Sequence, residues 1–89
     1  MDQAAIEKVL VMAVRDVQEL SGREQVPISS NTRPDLDVPG FDSLNGVEVT
    51  IDVLGKLGLE VEFNNVFVEG ETTLTIQQAA KRLLSCIQP

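Results

Sequence analysis

From Ser43 to Leu57 the chain carries an apolar pattern too wide for a helix with a single buried side. At 100° per residue, Leu44, Val47, Ile51 and Leu54 fall in one arc, and Val49, Val53 and Leu57 fall in another. Asn45, Glu48, Asp52, Gly55 and Lys56 take the space between them. The whole sequence is 89 residues long, enough for one domain with one small core. A helix apolar over more than half its circumference must then be packed on two sides or leave one arc exposed for a partner. The pattern by itself leaves both open, and either way the rest of the chain has to be arranged around this helix.

Two further amphipathic helices are predicted. Asp2 caps a helix that runs to about Leu20, with Ser21-Gly22 as its stop signal. Ile6, Val9, Leu10, Ala13, Val17 and Leu20 share its core face. Near the other end Thr75 caps a last helix, and Gln78 three residues on completes a capping box. Ile76, Ala79, Ala80, Leu83 and Ile87 share one face of that helix, with Cys86 beside them as a small core filler. Residues 23–42 lack helical periodicity and carry Pro27, Pro34 and Pro39, so they read as a packed loop with Ile28, Leu36 and Val38 turned inward. Leu59 to Phe63 alternates apolar and acidic but has no partner strand, and reads as extended loop. Asn64 is expected to cap one helical turn over Asn65–Glu69, closed by Gly70.

Composition narrows the function. Apolar residues make up 43% of the chain, almost all aliphatic, with three Phe and no Trp or Tyr. Seven basic residues against fourteen acidic ones give a net charge of −7, which disfavours nucleic acid and anionic membrane and favours basic protein surfaces. No His is present, which removes the commonest general base and metal ligand, and a single Cys excludes an internal disulfide. No apolar run is long enough to span a bilayer and no basic-then-apolar leader is visible, so a soluble cytoplasmic protein is expected.

Chemistry centres on Asp42-Ser43-Leu44. A serine at the mouth of a helix has an exposed hydroxyl beside unpaired backbone N–H groups that favour negative charge. As a nucleophile Ser43 would need a base, and neither a His nor a suitably placed Lys is available. Asp35, Asp37 and Gly40 match positions one, three and six of a calcium loop, but Pro39 at position five and Gly46 at position twelve break it. An enzyme and a metal site are both excluded on this inventory. A serine presented for modification survives.

These residues resemble the acyl carrier protein family. The resemblance covers nearly the whole chain and is most specific at Gly40-Phe41-Asp42-Ser43-Leu44, Val47-Glu48-Val49, Glu60-Val61 and Thr75-Ile76-Gln77. It implies a single all-α domain over residues 1–89, a small four-helix bundle of three longer helices and one short one. It also implies 4′-phosphopantetheine on Ser43 through a phosphodiester, installed from coenzyme A by a phosphopantetheinyl transferase that uses a divalent metal and engages Asp42. The arm's thiol would hold an acyl group as a thioester. Leu44, Val47, Glu48, Ile51 and Leu54 would be the exposed docking face for acyl-loading and acyl-using enzymes, with Val49, Val53 and Leu57 in the core, and the carrier would be a monomer. Two departures stand out. Asn45 replaces the family's acid after Asp-Ser-Leu, and Leu54, Gly55 and Lys56 replace an acidic run, so a specialised fatty-acid, lipid or polyketide pathway is implied. A carrier of aminoacyl or peptidyl groups, and an unmodified helical docking adaptor, are the alternatives.

Overall fold

The computed structural model describes residues 1–62 and 64–87. Helix α1 spans Gln3–Leu20 and begins as its sequence dictates, with the Asp2 carboxylate accepting the Ala5 N–H at 2.9 Å. It buries Ile6, Leu10, Ala13 and Val14 and is the common partner of the two other long helices, α3 (Ser43–Leu57) and α4 (Ile76–Ile87). Val49 and Val53 of α3 and Ile76, Ala79, Ala80 and Leu83 of α4 complete the core from the helices. Ile28, Val38, Phe41, Val66 and Phe67 close it from the connections. No helix among the described residues is long and apolar enough to cross a membrane.

One expectation for α1 fails at its last turn: Leu20, assigned to the core face, is 89% exposed, and Gln18, which the pattern does not single out, is completely buried. The reason is the loop, which folds back over the helix end and presents carbonyl groups there. Gln18 Nε2 donates to Glu24 O at 3.1 Å and Pro39 O at 2.8 Å, so the buried position needs a donor and an aliphatic side chain could not serve it.

The long connection is ordered by the use of its own polar groups. Within it Pro34–Asp37 form the short helix α2, with Pro34 at a first-turn position that needs no N–H donor. Asp37 Oδ2 accepts the Arg33 N–H at 2.8 Å. Just before α2, the carbonyls of Thr32 and Ser30 accept the N–H groups of Ile76 and Gln77 at 2.9 and 2.8 Å, pinning the loop to the start of α4. The expected capping box completes that start, since Thr75 Oγ1 accepts the Gln78 N–H and Gln78 Oε1 accepts the Thr75 N–H. Ile28 and Val38 are buried as expected, but Leu36 is exposed because the turn of α2 carries it outward.

The predicted short helix over Asn65–Glu69 is absent. Its residues form a turn followed by strand β1 (Val68–Glu69), which pairs antiparallel with β2 (Thr72–Thr73), Val68 opposite Thr73 and Glu69 opposite Thr72. The guanidinium of Arg82 on α4 explains the preference. Its Nη1 donates to the carbonyls of Asn65, Val66 and Val68 at 3.1, 3.3 and 2.7 Å, while Asn65 O also closes a tight turn on the Val68 N–H at 3.1 Å, so the turn and the strand after it are held from α4. The architecture is therefore mostly helical, with three long helices around the core, one four-residue helix and a minimal hairpin, rather than purely α. Leu59–Glu62 carries no strand, as expected, and Phe63 lies outside the described residues. Cys86 is exposed instead of filling the core.

Candidate functional site

Helix α3 starts and ends where its sequence signals place it, at Ser43 and before Gly58. Asp42 is extended (φ −120°, ψ −174°) and caps the helix, its Oδ1 accepting the Asn45 N–H at 3.0 Å. Asn45 answers, its Oδ1 accepting the Asp42 N–H at 3.1 Å and the Arg23 Nη1 at 2.7 Å. The Asp42 carbonyl takes the Gly46 N–H. Among the described residues the N–H groups of Ser43 and Leu44 meet no acceptor, and both residues are exposed. The positive end of the helix dipole thus opens to solvent at the Ser43 hydroxyl.

Two close approaches shape this end of α3. Arg23 crosses Gly40 on its way to Asn45, where a Cβ would stand 2.8 Å from Arg23 Cδ, and Gly40 is in the left-handed region at φ +74°. Gly46 faces Asn65 so closely that a Cβ there would lie 2.7 Å from Asn65 Cγ. Asn65 Nδ2 donates to the carbonyl of Ser43 itself at 3.3 Å, while Asn65 Oδ1 accepts the Phe67 N–H at 3.0 Å. One turn on, Thr50 Oγ1 donates to Gly46 O at 2.7 Å and accepts the Val66 N–H at 2.8 Å. The Phe41 and Phe67 rings meet edge to face, centroids 6.0 Å apart and planes at 82°, on either side of this junction. The first two turns of α3 are therefore bonded to the loop before them and to the segment Asn65–Phe67, leaving the serine as the exposed point of that frame.

The predicted docking residues divide. Leu44 and Ile51 are 65% and 69% exposed, and Glu48 is exposed between them. Val47 and Leu54 are only half-buried, and Leu54 packs against the core. The stripe is narrower than the helical wheel suggests, because Val47 and Leu54 turn toward the flank and not outward. Val49 and Val53 are buried as expected, and Leu57 is half-buried against them. Alongside, Asp52 pairs with Lys56 at 3.1 Å, both ends about half exposed. Asn45 is buried in the capping network and contributes nothing to the exposed stripe.

Sequence reasoning passed over Arg23, Gly46, Thr50 and Asn65, which hold the serine's surroundings in place. Gly46 carried a legible signal, since a glycine inside a strong helical pattern marks a packing constraint. Among the described residues no side chain is hydrogen-bonded to the Ser43 hydroxyl, which is presented to solvent. The guanidinium of Arg23 is committed to Asn45, and no grouping of acids or sulfur ligands among the described residues could hold a metal ion. Comparison of the chain with family models, curated proteins and solved structures finds no match.

Proposed function

We propose that this protein is an acyl carrier of the phosphopantetheine-bearing kind, with Ser43 as the attachment point. The observation that carries the reading is the exposed Ser43 at the first residue of α3, capped by Asp42, with the unpaired N–H groups of Ser43 and Leu44 beside it. A phosphodiester on that hydroxyl would meet the helix dipole and free donors, and the residues present fit it. When bound, the arm supplies a thiol that holds an acyl group as a thioester. The chain's own part is to present the hydroxyl on a fixed frame and to offer Leu44, Glu48 and Ile51 as contact area for the transferase and the acyl-transferring enzymes.

In this reading the three long helices stand for the family's three longer helices, with the turn and hairpin over Asn65–Thr73 in place of its short one and α2 as an added turn in the long loop. The carrier works as a cytoplasmic monomer, and its net charge of −7 draws basic partners. With Asp52 tied to Lys56 and Asn45 buried, Glu48 is the main free acid on the stripe, which suits partners of a specialised pathway with largely apolar docking faces.

Incubation with coenzyme A, magnesium and a broad-specificity phosphopantetheinyl transferase tests the proposal. The intact mass is expected to rise by one arm, and Ser43→Ala is expected to keep its helical circular dichroism and gain nothing. An unmodified docking adaptor would show no gain in either protein, which would overturn the carrier reading.

A further inference from the structure

The side of α3 that carries Glu48 and Asp52 does not lie flat on α1. Between the two helices runs a cleft of about 230 Å³. Its floor is apolar, made by Ala13, Val17 and Val49, of which Ala13 and Val49 are buried in the core. Its rim is acidic, with Asp16 from α1 and Glu48 and Asp52 from α3, and no basic side chain lines it. Leu20, which the end of α1 leaves almost wholly exposed, closes one side. Asp52 has Lys56 as its partner, but among the described residues Asp16 and Glu48 have no ion pair.

Size and charge together select an occupant. The volume is below the roughly 300–1,000 Å³ of pockets that enclose a small-molecule ligand. The carboxylates are not gathered tightly enough to hold a metal ion. An apolar floor under separated carboxylates fits a long side chain with a cationic head, whose methylenes lie on the floor while the charge reaches the rim.

We propose that this cleft is an anchor slot for one arginine or lysine side chain of a partner protein, flanked there by apolar residues that cover Leu20. The docking face then extends from α3 onto α1, where Asp16 and Leu20 contribute to recognition alongside Glu48. The slot does not depend on modification of Ser43, so binding by the unmodified chain reads it independently of the carrier proposal.

The test is titration of the isotopically labelled protein with a synthetic amphipathic helical peptide of leucine and arginine, followed by amide chemical shifts. A matched peptide with glutamate for arginine is the control. The arginine peptide is expected to shift the amides of Asp16, Val17, Val49 and Asp52, with affinity falling as sodium chloride is raised. Asp16→Asn and Leu20→Ser, both at exposed positions, are each expected to weaken binding by about three- to five-fold. Equal binding of the glutamate peptide would overturn the proposal. So would unchanged affinity in both variants with shifts confined to Leu44 and Ile51.

Discussion

Replacing Gly46 with alanine is expected to destabilise the protein, against the ordinary rule for a helix interior. Alanine in place of glycine normally stabilises a helix by about 1 kcal/mol. Here the added methyl group would lie 2.7 Å from Asn65 Cγ, well inside van der Waals contact, so the Asn65 side chain has to move. Moving it breaks the Asn65 Nδ2 bond to the Ser43 carbonyl and the Phe67 N–H bond to Asn65 Oδ1. Each such bond contributes about 0.5–1.5 kcal/mol. The loss of both, roughly 2 kcal/mol at the middle of that range, exceeds the helix gain and leaves a net destabilisation of about 1 kcal/mol. Urea unfolding followed by circular dichroism reads it, and for a domain of this size the melting temperature is expected to fall by about 4–8 °C. The sharper check is a double-mutant cycle. On an Asn65→Ala background the obstructing atoms are gone, so Gly46→Ala is expected to stabilise by about 1 kcal/mol, a coupling of about 2 kcal/mol between the two sites. A stabilising Gly46→Ala in the wild-type background, or a coupling near zero, would refute the claim that Asn65 braces the start of α3.

Gln18→Leu keeps the volume but removes the donor that holds Glu24 O and Pro39 O, and is expected to cost about 1–3 kcal/mol in urea melts. Hydrogen exchange at the Arg23 amide, which bonds to the Gln18 carbonyl, is expected to accelerate with it. Ile51→Glu and Leu54→Glu separate the exposed stripe from the flank. The first is expected to change stability by no more than about 0.5 kcal/mol, the second by about 1–3 kcal/mol because it places a carboxylate against the core. The reverse order in urea melts would mean that the two leucine-sized positions have exchanged roles.

The three long helices were legible because each carries its own periodicity and its own caps, as at Asp2, Asp42 and Thr75. Ser43 was legible for the same reason, being fixed by local signals on both sides. What escaped depends on groups distant in sequence. Gln18 gives no sign of burial until carbonyls from residues 24 and 39 arrive above it, and Leu20 gives no sign that the core stops short of it. The turn and hairpin over Asn65–Thr73 follow from Arg82, on a different helix. Asn45 has the pattern of a surface position, yet Arg23 and Asp42 draw it into the capping network. Short α2 is the exception. Pro34 followed by Asp35 and Asp37 is a local helix-start signal, obscured by the surrounding prolines and aspartates.

The central claim is that Ser43, and no other residue, accepts the phosphopantetheine arm. Its most direct test is fragmentation mass spectrometry of the protein after reaction with coenzyme A, magnesium and the transferase, locating the added group on the chain. One arm per molecule, confined to the peptide that contains Phe41-Asp42-Ser43-Leu44, is the expected result. An unmodified chain, or an arm located on any other residue, would contradict the account.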